Sequence, residues 1–203
     1  MAKVKVPRKS TSVDMTAMTD VAFLLLTFFM LATKFKPDEP VVVDTPSSIS
    51  EIKLPETDIM QLTIDKTGRV FFGIDGQKTR EDILQRMAKI YNMKFSPEEI
   101  KEFSLQSTIG VPMSQLPQFL KMTTEERAKA NFPGVPTDSL NNELGNWIWE
   151  SRLSKNAERK ELRIAIKGDR DANMPTVKRV IAVLQEKKVN RFNFITSMEK
   201  AGE

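Results

Sequence analysis

Residues 17–33 read AMTDVAFLLLTFFMLAT, and this stretch decides the class of protein. From Val21 to Ala32 no residue is charged, and Leu and Phe dominate. Extended to Val13 or Phe35 it reaches about 20 residues, the length that crosses roughly 30 Å of hydrocarbon. No other part of the chain has such a run. The reading is a transmembrane helix over 14–36. A cleaved signal peptide competes with it, because a basic N-terminus precedes the apolar core. Met30 and Ala32 before Thr33 make a poor cleavage signal, however, and an aspartate near the start of such a core is unusual. A buried helix of a soluble domain also competes, but the stretch shows no polar face beyond Asp20, Thr16, Thr19 and Thr27.

Charge sets the expected orientation. Lys3, Lys5, Arg8 and Lys9 precede the span with no acid before Asp14, whereas Lys34 and Lys36 are soon offset by Asp38 and Glu39. The positive-inside rule then predicts a cytoplasmic basic tail at 1–13 and the larger part of the chain on the far side.

Asp20 is the candidate functional residue. A charged side chain at the centre of a membrane helix costs about 2.5–3.5 kcal/mol on insertion scales, so such groups face protein or a wet cavity. Thr16, Asp20 and Thr27 share one helix face, with Phe23 and Leu24 between them. Moving a carboxylate out of water favours its protonated form. A proton crossing 100 mV releases about 2.3 kcal/mol, enough to bias two packing states of a helix. Other roles stay open on spacing alone: Asp20 pairing with a partner helix, snorkelling to the headgroups, or sitting in a plain membrane anchor.

Composition narrows the chemistry. The chain has 203 residues, 40% hydrophobic and 29% charged, which is enough for a globular core beside the span. A net charge of +4, without interleaved basic and aromatic residues, gives no footprint for nucleic acid. With no cysteine there are no disulfides and no thiol chemistry; with no histidine the usual proton shuttle is missing. Proton chemistry must therefore rest on carboxylates, with lysine and the one tyrosine as the remaining alternatives. No G-x-S-x-G, P-loop or metal constellation occurs, so no enzyme activity and no cofactor are expected.

The remainder reads as a linker and an α+β domain. Residues 37–58 carry Pro37, Pro40, Pro46 and Pro55 and read as an extended linker, with Val41–Val43 and Ile49–Leu54 able to add a strand to a sheet edge. The domain spans 59–203. Met60–Asp65 and Val70–Gly73 flank Lys66–Arg69 as a hairpin. Thr79–Tyr91 is a helix with Thr79 as N-cap and an apolar face of Ile83, Leu84, Met87, Ile90 and Tyr91. Residues 93–145, cut by Pro112, Pro117, Pro133 and Pro136, read as a packed helical insertion. A helix over 139–156 carries Trp147 and Trp149, read as core or as resting near the membrane surface. Glu161–Lys167, Met174–Lys188 and Arg191–Thr196 close the domain as strand, helix and strand, with Gly168–Asp171 a plain turn.

These features together resemble the ExbD/TolR family of biopolymer-transport proteins. The first match is Asp14-Met15-Thr16-Ala17-Met18-Thr19-Asp20-Val21 followed by the Leu/Phe-rich span; the second is Leu162–Lys167, Gly168-Asp169, Met174–Leu184 and Phe192–Ile195. The hairpin and the helix after it fit the first half of the family's periplasmic domain. The sequence departs from the family pattern twice: Ala17 stands where proline is usual, and 93–145 lies outside the common domain.

The resemblance implies a proton-conducting subunit of an inner-membrane motor in a Gram-negative envelope, with a periplasmic C-terminal domain. It implies a homodimer held in an ExbB/TolQ-like multi-span pentamer, protons as the coupling ion carried at Asp20, and Thr16, Thr19, Phe23, Leu24 and Thr27 at the interface with the ring. Work would pass to a TonB- or TolA-like protein spanning the periplasm. A TolR-like role in envelope maintenance, a membrane-anchored interaction module without ion conduction, and a flagellar-type stator are the rivals.

Overall fold

A computed structural model describes residues 15–32, 43–45, 47–48, 58–138, 141–157, 162–195 and 197–198. The chain divides into two compact units, Met1–Pro37 and Asp38–Glu203. The first contains helix α1, Met15–Ala32. Residues 14 and 33–36 of the expected span lie outside the described residues.

The second unit is α+β, as expected. Strand β1 (Ser47–Ser48) is followed by β2 (Ile59–Ile64) and β3 (Val70–Ile74), helices α2 (Gln77–Ile90) and α3 (Pro97–Leu105), and strand β4 (Thr108–Ile109). A 3-10 turn at Met113–Gln115 leads into α4 (Leu116–Lys121) and α5 (Thr124–Lys129). Then come α6 (Glu143–Ala157), β5 (Arg163–Gly168), α7 (Met174–Glu186), β6 (Asn193–Ile195) and β7 (Ser197–Met198). Five strands form one sheet in the order β4-β3-β2-β5-β6. β2 pairs antiparallel with β3 and parallel with β5, so Leu62 stands between Phe72 and Ile166.

The hairpin turn is one residue longer than the sequence reading. Asp65 leaves the ladder because its carboxylate is needed in the turn: Oδ1 accepts the N–H of Thr67 (2.9 Å) and of Arg69 (2.8 Å). Gly68, at φ +85°, takes the left-handed position. The α2 reading needs two corrections. The helix begins at Gln77 after Gly76 (φ +93°), and Thr79 is a buried residue inside it rather than its cap. Its apolar face is Ile83, Leu84 and Met87; Ile90 is exposed and Tyr91 half-buried, because Asn92 (φ +51°) ends the helix there.

The insertion is packed into the core. Phe103, Ile109, Val111, Met113, Leu116, Phe119, Leu120 and Val135 are buried with the sheet residues. β4 extends the sheet beyond β3, and all five residues of β3 are buried. Phe71 accounts for the second face: Gly110 lies so close that an added Cβ would stand 2.2 Å from the Phe71 ring. The tail of the insertion returns along β3, where the N–H of Val135 donates to the Val70 carbonyl at 2.7 Å.

Helix α6 starts at Glu143, four residues later than read, with Asn142 Oδ1 accepting the N–H of Gly145 (2.9 Å) in the manner of a cap. Its tryptophans divide. Trp147 is 1% exposed and stacked on Phe103, whereas Trp149 is exposed. The closing strand is shorter than read: β6 covers Asn193–Ile195, Phe194 is exposed, and Thr196 lies outside the described residues. Ser197–Met198 instead pairs in parallel with Ser47–Ser48. Of the expected linker, only 43–45, 47–48 and 58 are described, and the Ile49–Leu54 stretch falls outside them.

Candidate functional site

Helix α1 holds 18 residues, about 27 Å of helix at 1.5 Å per residue. Its mean hydropathy is 1.8 and Asp20 is its only charged residue. Val21, Phe23, Leu24, Leu25, Leu26, Phe28, Phe29, Met30 and Leu31 are each more than half exposed. A buried core helix would hide its apolar face; none of this helix is buried. Apolar surface of this extent is the kind that meets lipid or another chain.

The helix also deals with its own hydroxyls. Thr19 Oγ1 donates to the Met15 carbonyl at 2.8 Å, and Thr27 Oγ1 to the Leu24 carbonyl at 3.0 Å. Polar groups in hydrocarbon must be satisfied internally, and these bonds do so within one turn. Asp20 cannot be satisfied in this way, because an ionised carboxylate has only acceptor atoms and the helix N–H groups beyond the first turn are already used. Asp20 lies five residues, about 7.5 Å, inside the N-terminal end of α1. Thr16, Phe23, Leu24 and Thr27 share its face, and Thr19 stands to one side.

The domain carries buried charges that spacing did not reveal. Lys155, 3% exposed on the last turn of α6, donates to Asp58 Oδ1 at 2.6 Å. Glu143, 4% exposed, accepts the N–H of Met113. Arg127 donates to the carbonyls of Phe119 (3.1 Å) and Leu120 (3.0 Å), pairs with Glu102 (2.9 Å), and lies over the Phe119 ring. Among the described residues no group of His, Cys, Asp or Glu is placed to hold a metal ion.

An apolar helix with one acid group and a small α+β unit are the features of a single-pass membrane protein. The family model for the biopolymer transport protein ExbD/TolR matches residues 7–199, and the chain belongs to that family. Comparisons with curated proteins and with solved structures gave no significant match. Membership places the chain generally among the energising subunits of biopolymer transport, which work in a membrane complex with ExbB/TolQ-type partners.

Proposed function

We propose that this chain is the proton-conducting subunit of an inner-membrane motor that energises TonB-dependent outer-membrane transport, with Asp20 as the proton carrier. The observation that carries the reading is the lone carboxylate in helix α1, which is otherwise uncharged and apolar. Two copies inside an ExbB/TolQ-like pentamer would cover that surface and give Asp20 a protein surrounding, with Thr16, Thr19, Phe23, Leu24 and Thr27 against the ring. Asp20 would take a proton from one side and release it to the other as the packing shifts. In this arrangement 1–13 is a cytoplasmic tail, 37–58 a periplasmic linker and 59–203 a periplasmic domain that hands work to a TonB- or TolA-like protein.

The test is Asp20→Asn, which keeps the shape of the side chain but cannot ionise. Energised uptake should vanish while the complex still co-purifies with its multi-span partner. Retained uptake sinks the proposal. Loss of co-purification, with no dependence of function on membrane potential, points instead to Asp20 as an assembly contact in a membrane-anchored interaction module. An adjacent reading frame of TonB or TolA type separates the ExbD-like branch from the TolR-like one.

A further inference from the structure

Asp58 is the first residue of the stretch leading into β2, and it is held on several sides. Its N–H donates to Asp75 Oδ2 (3.2 Å), its carbonyl accepts the N–H of Arg163 at the start of β5 (3.1 Å), and its Oδ1 accepts from Lys155 Nζ (2.6 Å). The N–H of Asp75 returns to the Ile59 carbonyl at 3.0 Å. Asp58 also takes the left-handed conformation, φ +59°, which aspartate and asparagine tolerate better than other residues with a side chain. The backbone therefore turns abruptly at the point where it enters the central strand of the sheet.

Lys155 makes this more than a turn. Its ammonium is almost fully buried while the Asp58 carboxylate is half-buried, so the lysine depends on the aspartate more than the reverse. Ahead of Asp58 the described residues are attached through the buried Val43 side chain, through the N–H of Arg170, which donates to the Asp44 carbonyl (2.7 Å), and through Ser47–Ser48, which pairs over two residues with Ser197–Met198. A pull from the N-terminal side meets one buried apolar side chain and those short pairings first and a buried charge second.

We propose that the Asp58–Lys155 pair is the anchor at which mechanical load delivered through the chain ahead of residue 58 is passed into the folded domain. It joins the incoming chain at β2 to helix α6 directly, so load is shared between the sheet and the helix beside it instead of peeling β2 from its end. The idea rests on the reading of the chain as a motor subunit.

The test uses the full chain with Lys155→Met, which keeps the volume and removes the charge, and Asp58→Asn, which keeps the left-handed turn. Hydrogen exchange in detergent micelles should speed up roughly tenfold or more at the amides of Asp58, Asp75 and Arg163, while Leu62 and Phe72 stay protected, as for a local opening. Energised uptake in cells should fall severalfold in both variants with Asp20 intact. Unchanged exchange at the three amides overturns the anchor. Full uptake in a variant whose three amides have opened overturns its role in bearing load. Should Lys155→Met lose protection everywhere, Asp58→Asn decides by the same two criteria. Full uptake in Asp20→Asn would fell the motor reading and the load-bearing role together, and the exchange result identifies which claim failed.

Discussion

Glu143 Oε2 accepts the backbone N–H of Met113 at 2.7 Å, joining the first turn of α6 to the insertion 30 residues earlier. Both residues are buried, and Glu143 Oε1 also accepts from Asn141 (3.2 Å). A carboxylate at a helix N-terminus is favoured by the helix dipole, so the buried charge is partly compensated by its own helix. Glu143→Ala leaves the Met113 N–H buried without this acceptor. It should destabilise the domain by about 1–3 kcal/mol in denaturant unfolding, and Glu143→Gln by less.

Asp65 sets an acid limb on stability. Burial pushes its carboxyl up, but hydrogen bonds from Thr67 and Arg69, with the Arg69 charge, more than offset this and hold it below the ordinary 3.8. A carboxyl lowered in the folded state stabilises at pH above its unfolded value, and that contribution is lost as pH falls through the folded value. Stability measured from pH 6 downward should therefore drop below about pH 3.8, and Asp65→Asn should flatten that drop while lowering the plateau.

Gly110 packs without a side chain against the ring of Phe71. Gly110→Ala forces the ring or the strand to move and should cost about 1–3 kcal/mol, as overpacking does. Gly168, where an added Cβ meets nothing within 4 Å, is the control. Gly168→Ala should stay within about 0.5 kcal/mol of the parent by thermal unfolding.

Arg127 holds α5 through a planar fork that lysine cannot copy, bonding two carbonyls and the Glu102 carboxylate while covering the Phe119 ring. Arg127→Lys should lower stability by about 1–2 kcal/mol. Hydrogen exchange should quicken in α5 before it does in the central strands.

Much of this molecule is determined by short-range pattern. The span needs only an uncharged run of sufficient length, and Asp20 stands out because everything after it in α1 is uncharged. The hairpin is legible because Gly68 supplies the left-handed turn residue between two short apolar segments. The strand–helix–strand of β5, α7 and β6 is legible because each element shows its own period. Only the tertiary structure decided that residues 93–145 cover β3 and enter the core, that Trp147 is buried while Trp149 is not, and that Lys155 finds Asp58 across 97 residues. Periodicity and turn chemistry act within a few residues of one another. A buried ion pair or a filled face instead depends on which distant surfaces the completed sheet brings together, and no local pattern records that.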